Sequence, residues 1–291
     1  MTSRSTDHTA PGADHTGSDL DPQFVFDFRS YDEPGAGQRF STWSGVEPLC
    51  RGPEPRPGWV VTSQAAVDTD LGVLKTGKEA DVFLLERAVP DDPAQAVLMA
   101  AKRYRGEEHR TFHRSAAYTE GRRTRNSRDA RALAKKTSHG RAVAAGAWAS
   151  AEWQALTTLW QAGVPVPYPV QIDGTELLME LVTADGAPAP RLASTRPGPA
   201  LLADYYDQLR SGMLQLARHG IAHGDLSAYN VLAAGDRVVL IDLPQVVDIV
   251  ANPSGTDFLM RDCRNVCSWF ASRGLAVEEH DLFADLVASA F

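Results

Sequence analysis

The stretch HGDLSAYN at residues 223–230, followed by ID at residues 241–242, decides how this chain is interpreted. It places a polar cluster between apolar runs, with Asp225 and Asn230 in a loop and Asp242 at the end of a strand twelve positions later. Two carboxylates and an amide gathered in this way suit a divalent metal and a nucleophile in phosphoryl transfer. A polar turn capped by Asp and Asn is the alternative. The complete H-x-D-x4-N and I-D spacing favours the site.

The composition sets broad limits on the kind of protein. The 291 residues suffice for two compact lobes or one large domain. A hydrophobic content of 43% is ordinary for a globular protein, and the net charge of -8 argues against a general nucleic-acid binder. The three cysteines have no framework spacing, no apolar run approaches membrane-spanning length, and Met1 opens onto polar residues. We therefore expect a cytoplasmic protein without membrane contact.

The N-terminal region differs from the rest of the chain. Residues 1–57 are rich in Gly, Pro, Ser, Thr and Asp and show no sustained periodicity. This composition predicts a disordered or loosely packed tail. Within it, the alternating patch at residues 24–28 is typical of a short strand or a docking segment.

A glycine turn precedes the first clear strand, in KTGKEADVFLL at residues 75–85. Gly72, Gly77 and Lys78 almost reproduce a Walker A loop. However, Glu79 stands where Ser or Thr should hold Mg²⁺, and a β-prone run follows where a helix should start. A strand-turn-strand loop over phosphates, with Lys78 at the turn, is instead the arrangement of a kinase-like N-terminal lobe.

Two charged residues extend the nucleotide site. Lys102 follows an apolar run within a predicted strand at residues 97–104, as the lysine of the V-A-I-K motif does, which predicts contact with the α- and β-phosphates. Glu152 lies on an Ala-rich predicted helix at residues 142–162 and is the expected ion-pair partner of Lys102. A surface lysine and an exposed helical glutamate are the alternatives. Their order after the glycine turn favours the nucleotide site.

The segment 103–141 is locally basic, with twelve Lys and Arg residues against four acidic ones. A basic segment of this kind in an acidic protein indicates a binding site for phosphate, RNA or an acidic partner. The alternative is a solvated loop without a binding role. Aromatic residues are sparse there, so base stacking is not strongly indicated.

The second half of the chain supplies a hinge and a short helical region. A hairpin ends in the strand at residues 177–182, whose backbone at Glu180 and Val182 would pair with adenine in a kinase-like protein. Helices are predicted at residues 199–219, at about 255–272 and near 277–290. Only 49 residues follow Asp242, and no A-P-E motif is present. We therefore expect a truncated C-terminal lobe without an activation segment.

Together these segments resemble the RIO-type atypical serine/threonine protein kinases, closest to the RIO1-like branch. The resemblance covers about residues 60–275. The segments that carry it are TGKEADVF (76–83), Lys102, the basic stretch, WAxxE (148–152), GVPVP (163–167), DGxPAPRL (185–192), HGDLSxxN (223–230) and IDLPQ (241–245).

The resemblance implies an α+β, two-lobed protein-kinase-like fold. Its N-lobe would span residues 58–182 and its C-lobe residues 183–291. It also implies ATP with Mg²⁺ or Mn²⁺. By the resemblance, Lys102 contacts phosphate, Glu152 positions Lys102, Asp225 is the catalytic aspartate, Asn230 and Asp242 bind metal, and Asp242 can itself accept phosphate.

Three functions remain open at this point. The first is a serine/threonine protein kinase that acts on an unidentified protein substrate or on itself. The second is an ATP-driven binding switch on a ribosome or another RNA assembly, which the basic segment motivates. The third is a small-molecule phosphotransferase of the aminoglycoside or choline kinase type. The segment 76–83, the Pro244-Gln245 pair and the small C-lobe argue against the third.

Overall fold

The computed structural model describes residues 34–105, 138–244 and 246–291, without the side chains of residues 138–143. Its first part is a six-stranded antiparallel sheet, in the order β1-β2-β3-β4-β6-β5. The strands are β1 (Gln38–Phe40), β2 (Val67–Thr76), β3 (Ala80–Val89), β4 (Asp92–Tyr104), β5 (Pro169–Asp173) and β6 (Glu176–Glu180).

Helix α1 (Ser138–Gln161) follows β4 along the chain and packs against β4, β5 and β6. Gly163 lies directly beyond its C-terminal end with a φ of 77°, a left-handed conformation that glycine adopts at little cost. Because Pro165 and Pro167 cannot continue a helix, the chain runs extended from there into β5.

Side-chain alternation along β3 and β4 separates the two faces of the sheet. Leu85 lies opposite Met99 across the ladder, and both are buried on one face. Lys102 and Tyr104, two positions apart, share the opposite face. There Tyr104 joins the core that includes residues of α1. The strand pattern thus presents Lys102 to the side of the sheet on which α1 packs.

The second part is mainly helical, with short strand pairs that hold the loops. The pairs are β7 (Thr183–Ala184) with β8 (Ala187–Pro188), β9 (Ile221–Ala222) with β12 (Val247–Asp248), and β10 (Val231–Ala234) with β11 (Arg237–Leu240). The helices are α2 (Pro199–Arg218), α3 (Gly255–Ala271) and α4 (Glu279–Ala290). No helix among the described residues has the length and apolarity needed to cross a membrane.

Residues 34–57, which we call the N-terminal strap, correct the predicted tail. β1 pairs with β2, and Trp43 is only 5% exposed within the core of the sheet. The Gly52 N–H donates to the Val170 carbonyl (2.8 Å), and the Trp153 indole N–H donates to the Leu49 carbonyl (3.2 Å). Short extended pieces have no periodicity that a sequence pattern could reveal.

Several other predictions fall outside the described residues. The alternating patch at residues 24–28 does, and so does most of the basic segment 103–141, from residue 106 to residue 137. The boundary between the lobes after residue 182 stays a prediction.

Candidate active site

The HGDLSAYN loop begins directly after β9 and is held from inside by His223, which is fully buried. The His223 Nε2 atom lies 3.0 Å from the Ile241 carbonyl oxygen, and its Nδ1 atom lies 3.4 Å from the backbone nitrogen of Asp225. A ring protonated at Nε2 donates to the carbonyl and accepts from the N–H, so one tautomer satisfies both contacts. His223 therefore ties the loop to the residue that precedes Asp242.

A second anchor comes from α3. The carboxylate of Asp262 accepts the backbone N–H groups of Gly224 and Leu226, each at 2.8 Å. Asp262 is only 1% exposed, and burial raises the pKa of its carboxyl group despite these two bonds. On the same helix, Arg261 donates to the Gly224 carbonyl and Asn265 donates to the Leu226 carbonyl. The backbone on both sides of Asp225 is thus fixed to one helix.

Asn230 connects the loop to the strand that leads to Asp242. Its Nδ2 donates to the Asp225 carbonyl (2.9 Å), and its own carbonyl accepts the Ile241 N–H (3.0 Å). Asp225 is partly exposed, and no hydrogen bond or ion pair among the described residues engages its carboxylate. The loop therefore holds this carboxylate on an ordered backbone while leaving it available to another molecule.

Three charged side chains meet at the centre of the site. The Lys102 ammonium lies 2.8 Å from Glu152 Oε1 and 2.9 Å from Asp242 Oδ1. The exposed fractions of the side chains are 12%, 3% and 42% in the order Lys102, Glu152, Asp242, so only Asp242 opens widely to solvent. The second oxygen of Glu152 accepts a hydrogen bond from the Tyr104 hydroxyl.

The electrostatics follow from this arrangement. Burial alone would lower the pKa of Lys102, but Glu152 and Asp242 outweigh it and hold the pKa well above its ordinary value. Conversely, the charge of Lys102 lowers the pKa of Asp242 even though the carboxylate is partly withdrawn from solvent. Both groups are therefore ionised at neutral pH.

Asp242 also has an uncommon backbone, with a φ of 69°. This left-handed conformation is unfavourable for most side chains and is tolerated best by Gly, Asn and Asp. It is held in place because the neighbouring Leu240 and Ile241 N–H groups donate to Pro165 and Asn230. In this backbone conformation the Asp242 carboxylate lies 2.9 Å from the Lys102 ammonium.

The remaining predicted residues lie farther along the sheet. Lys78 is exposed in the β2–β3 turn, and none of the described contacts joins it to Lys102, Glu152 or Asp242. The Glu180 carboxylate accepts the Tyr168 N–H (3.1 Å) and an Arg237 Nη2 (3.3 Å), so it joins the end of β6 to the residue before β5 and to β11.

Val182 is buried, and its carbonyl accepts the Ala189 N–H at 2.9 Å. Within the described part of the chain, no hydrogen bond uses the Val182 N–H.

This site offers few protein ligands for a metal ion. The described residues contain no group of three or more His, Cys, Asp and Glu side chains arranged to hold a metal ion. The Asn230 amide oxygen and the Asp242 carboxylate nevertheless suit Mg²⁺, which takes few protein oxygens and completes its shell with water and substrate phosphates. The donor set therefore fits an ion that arrives with a nucleotide.

Two features of the site were missed at the sequence level. Asp262 was not predicted, because its two backbone partners lie more than thirty residues away along the chain. The position of Tyr104 could have been predicted, since a residue two positions beyond Lys102 on a strand must lie on the same face of the sheet.

Comparison with known proteins gives consistent results. The model of the RIO domain matches residues 95–282. The chain is 35% identical over 217 residues to the RIO-type serine/threonine-protein kinase Rio1 of Haloferax volcanii, covering 75% of this chain and 68% of that protein. It is 34% identical over 131 residues to Rio1 of Thermoplasma acidophilum, covering 45% of this chain and 67% of that protein.

A eukaryotic relative matches over a shorter part of its length. Serine/threonine-protein kinase RIO3 of Mus musculus is 37% identical over 139 residues, which cover 47% of this chain and 27% of that protein. The chain thus spans about a quarter of the mouse protein.

The matched interval contains the strand end with Lys102, the helix with Glu152, and the loop and strand end with Asp225 and Asp242. The six-stranded sheet and the short helical part fit the expected α+β kinase-like fold with a truncated C-lobe. The chain therefore belongs to the RIO family of atypical serine/threonine protein kinases, in its RIO1-like branch.

Proposed function

We propose that this kinase transfers the γ-phosphoryl group of ATP to a protein hydroxyl at the cluster around Lys102. The observation that carries the proposal is the position of Lys102 between Glu152 and Asp242, next to a loop whose Asp225 carboxylate no described residue engages. A lysine held by a helical glutamate and a metal-loop aspartate is the nucleotide half of a protein kinase site. The Asp225 carboxylate nearby is the half of the site that would act on the hydroxyl that accepts the phosphoryl group.

The nucleotide would lie between the β3–β4 part of the sheet and the loop with Asp225. The Val182 N–H and the Glu180 backbone would bind the adenine edge, and Lys102 would bind the phosphates. Lys78 would reach the phosphates from the β2–β3 turn. Since Lys102 has a raised pKa, it stays charged and loses no proton when phosphates replace Asp242 as its partner.

Asn230 and Asp242 would hold a divalent ion, for which Mg²⁺ and Mn²⁺ are our proposal. When bound, the ion neutralises charge on the phosphate oxygens. Lys102 contacts only the Oδ1 atom of Asp242, so the Oδ2 atom can serve as a ligand while that contact persists. Asp242 needs no deprotonation for this because its pKa is already low.

Asp225 would orient the attacking hydroxyl and accept its proton as the new P–O bond forms and the bond to ADP breaks. The loop contributes rigidity, because the backbone on both sides of Asp225 is bound by Asp262. Holding the reactants in one geometry is a large part of catalysis in such enzymes.

Labelled ATP tests the proposal. The protein is incubated with γ-labelled ATP and Mg²⁺ or Mn²⁺, with itself and a generic basic protein as acceptors. We expect acid-stable label on Ser or Thr, reduced at least a hundredfold in Asp225→Asn. The matched control is Asp236→Asn, an exposed aspartate in the β10–β11 turn, which should retain wild-type activity. Equal labelling by wild type and Asp225→Asn would refute the assignment.

Treatment of the labelled protein with hydroxylamine separates a second candidate, an ATP-hydrolysing switch with a phosphate on Asp242. The 42% exposure of the Asp242 side chain favours an accessible acceptor there. Label released by hydroxylamine and absent from Asp242→Asn would identify an acyl phosphate. Label that survives would leave Ser or Thr as the acceptor.

The expected ribosome or RNA contact and the cytoplasmic location are likewise proposals. The first is supported by the charge of the basic segment, most of which lies outside the described residues. Neutralising Arg122, Arg123 and Arg125 should weaken binding to RNA if the contact is real, and unchanged RNA binding would remove it. A small-molecule acceptor is not favoured by the family match.

A further inference from the structure

Tyr104 lies beneath the Lys102–Glu152 pair. It is 5% exposed, and its hydroxyl donates to Glu152 Oε2, the oxygen that Lys102 does not contact. The Lys102 ammonium lies 5.3 Å from the centre of the Tyr104 ring. One side chain therefore contacts both members of the ion pair, through its hydroxyl and through its ring.

A buried carboxylate needs partners for both oxygens, because an unmet acceptor in the protein interior is costly. Glu152 is 2% exposed, and the contacts of its two oxygens among the described residues are Lys102 and Tyr104. The Tyr104 phenol is suited to permanent donation, since burial and the negative charge of Glu152 raise its pKa well above the ordinary value.

Lys102 has a second role that this arrangement must accommodate. It bridges Glu152 and Asp242. If Lys102 shifts from Asp242 toward the phosphates of a bound nucleotide, Glu152 has to stay in place to keep holding it. A glutamate held by Lys102 alone could follow the moving ammonium or turn about its own side-chain bonds. A second bond to a rigid aromatic residue of the sheet prevents this.

We infer that Tyr104 is a positioning residue that fixes Glu152 by its hydroxyl, so that Lys102 is presented to the phosphates of the nucleotide. The inference rests on the proposed function for its nucleotide. It adds a residue beyond the Lys-Glu pair, contributed by the same strand as the lysine. Because Lys102 and Tyr104 are two positions apart, the strand geometry itself sets their relative position.

The test variant is Tyr104→Phe, which removes one oxygen and keeps the ring below Lys102. The matched control is Tyr205→Phe, which removes another hydroxyl from a largely buried tyrosine, one that donates to the Gly235 carbonyl and that no described hydrogen bond or ion pair joins to Lys102 or Glu152. Binding of a fluorescent ATP analogue with Mg²⁺ gives Kd, steady-state transfer gives KM and kcat, and thermal unfolding shows that each variant folds.

We expect Tyr104→Phe to raise Kd and KM for the nucleotide about tenfold with a smaller change in kcat, as the loss of a hydrogen bond to a charged group allows. Tyr205→Phe should lower the unfolding temperature comparably and leave Kd unchanged. In a Glu152→Gln background, Tyr104→Phe should have a much smaller effect, since the two groups act as a unit. If that background does not fold, Glu152→Asp replaces it.

Three results would overturn the inference. They are a wild-type Kd for Tyr104→Phe, an equal loss of affinity in Tyr205→Phe, and an undiminished effect in the Glu152 background. The proposed function fails differently: a wild type that binds the ATP analogue but transfers no phosphate refutes phosphoryl transfer, while the comparison of Kd values still decides the role of Tyr104. A wild type that binds no nucleotide refutes both.

Discussion

Replacing Asp262 with asparagine should loosen the loop that carries Asp225 and leave the nucleotide half of the site nearly intact. Asp262 accepts two backbone N–H groups, from Gly224 and Leu226, at 2.8 Å each. Asparagine keeps one acceptor oxygen, but its NH₂ group faces the other N–H, so one charge-assisted bond is lost and one buried donor is left unmet. Such a loss amounts to about 1.5–3 kcal/mol.

A second effect reduces this figure. Burial raises the pKa of Asp262, which shows that the ionised carboxylate is costly to bury at this position. The neutral amide avoids part of that cost. We therefore expect a net destabilisation of the loop of about 1–2 kcal/mol, or a five- to thirtyfold fall in kcat if the whole effect appears in the population of the ordered loop.

The assay combines kinetics with hydrogen exchange. In Asp262→Asn, the kcat should fall while KM for ATP changes less than twofold, and the amides of Gly224 and Leu226 should exchange faster than in the wild type. The control is Asp248→Asn, an exposed aspartate whose carboxylate also accepts two backbone N–H groups, at 2.8 and 2.7 Å. An unchanged kcat together with faster amide exchange would refute the link between loop order and catalysis. If KM for ATP changed by as large a factor as kcat, the expectation that Asp262 acts on the loop with Asp225 and not on nucleotide binding would be refuted.

The other predictions concern the thiols and the N-terminal strap. Burial raises the pKa of Cys263 to about 12, so only about one part in 10⁴ is thiolate at pH 8, and Cys267 is also buried. A thiol reagent should therefore titrate Cys50 alone in the native protein and all three cysteines after denaturation; rapid native reaction of Cys263 would contradict the packing of α3. In Gly52→Ala, the new Cβ would lie 2.1 Å from a backbone oxygen of β5, so unfolding in urea should show a loss of about 1–3 kcal/mol. Gly58→Ala, whose Cβ meets nothing within 4 Å, should change stability by less than about 0.5 kcal/mol, and equal effects of the two changes would show that the strap is not docked as described.

The site residues predicted from the sequence lie in local motifs. Asp225 and Asn230 share one short loop, and Lys102 follows an apolar run, so nearest neighbours in the chain were enough to single them out. The structure brings Lys102 within 2.8 Å of Glu152, fifty residues later, because a strand and a helix of the predicted type pack against each other.

What the sequence did not reveal depends on pairing across long separations. Nothing in the local pattern of α3 distinguishes Asp262 from an exposed helical aspartate. Strand lengths were underestimated for a related reason: β3 and β4 continue beyond their apolar parts. Arg87, in the polar extension of β3, is fully buried and makes bidentate bonds of 2.6 and 2.9 Å to Asp68. Hydrophobic alternation cannot anticipate a strand whose inward residue is a paired arginine.

The docking of the N-terminal strap has a consequence for the order of folding. Its partners Trp153, Tyr168 and Val170 follow it by about a hundred residues or more, so they leave the ribosome long after Trp43 and Gly52 do. Contacts across such separations form only once the intervening sheet has closed. The earliest-synthesised segment of the described chain is thus among the last that can dock, and until then it leaves the apolar surface that receives Trp43 open to other molecules.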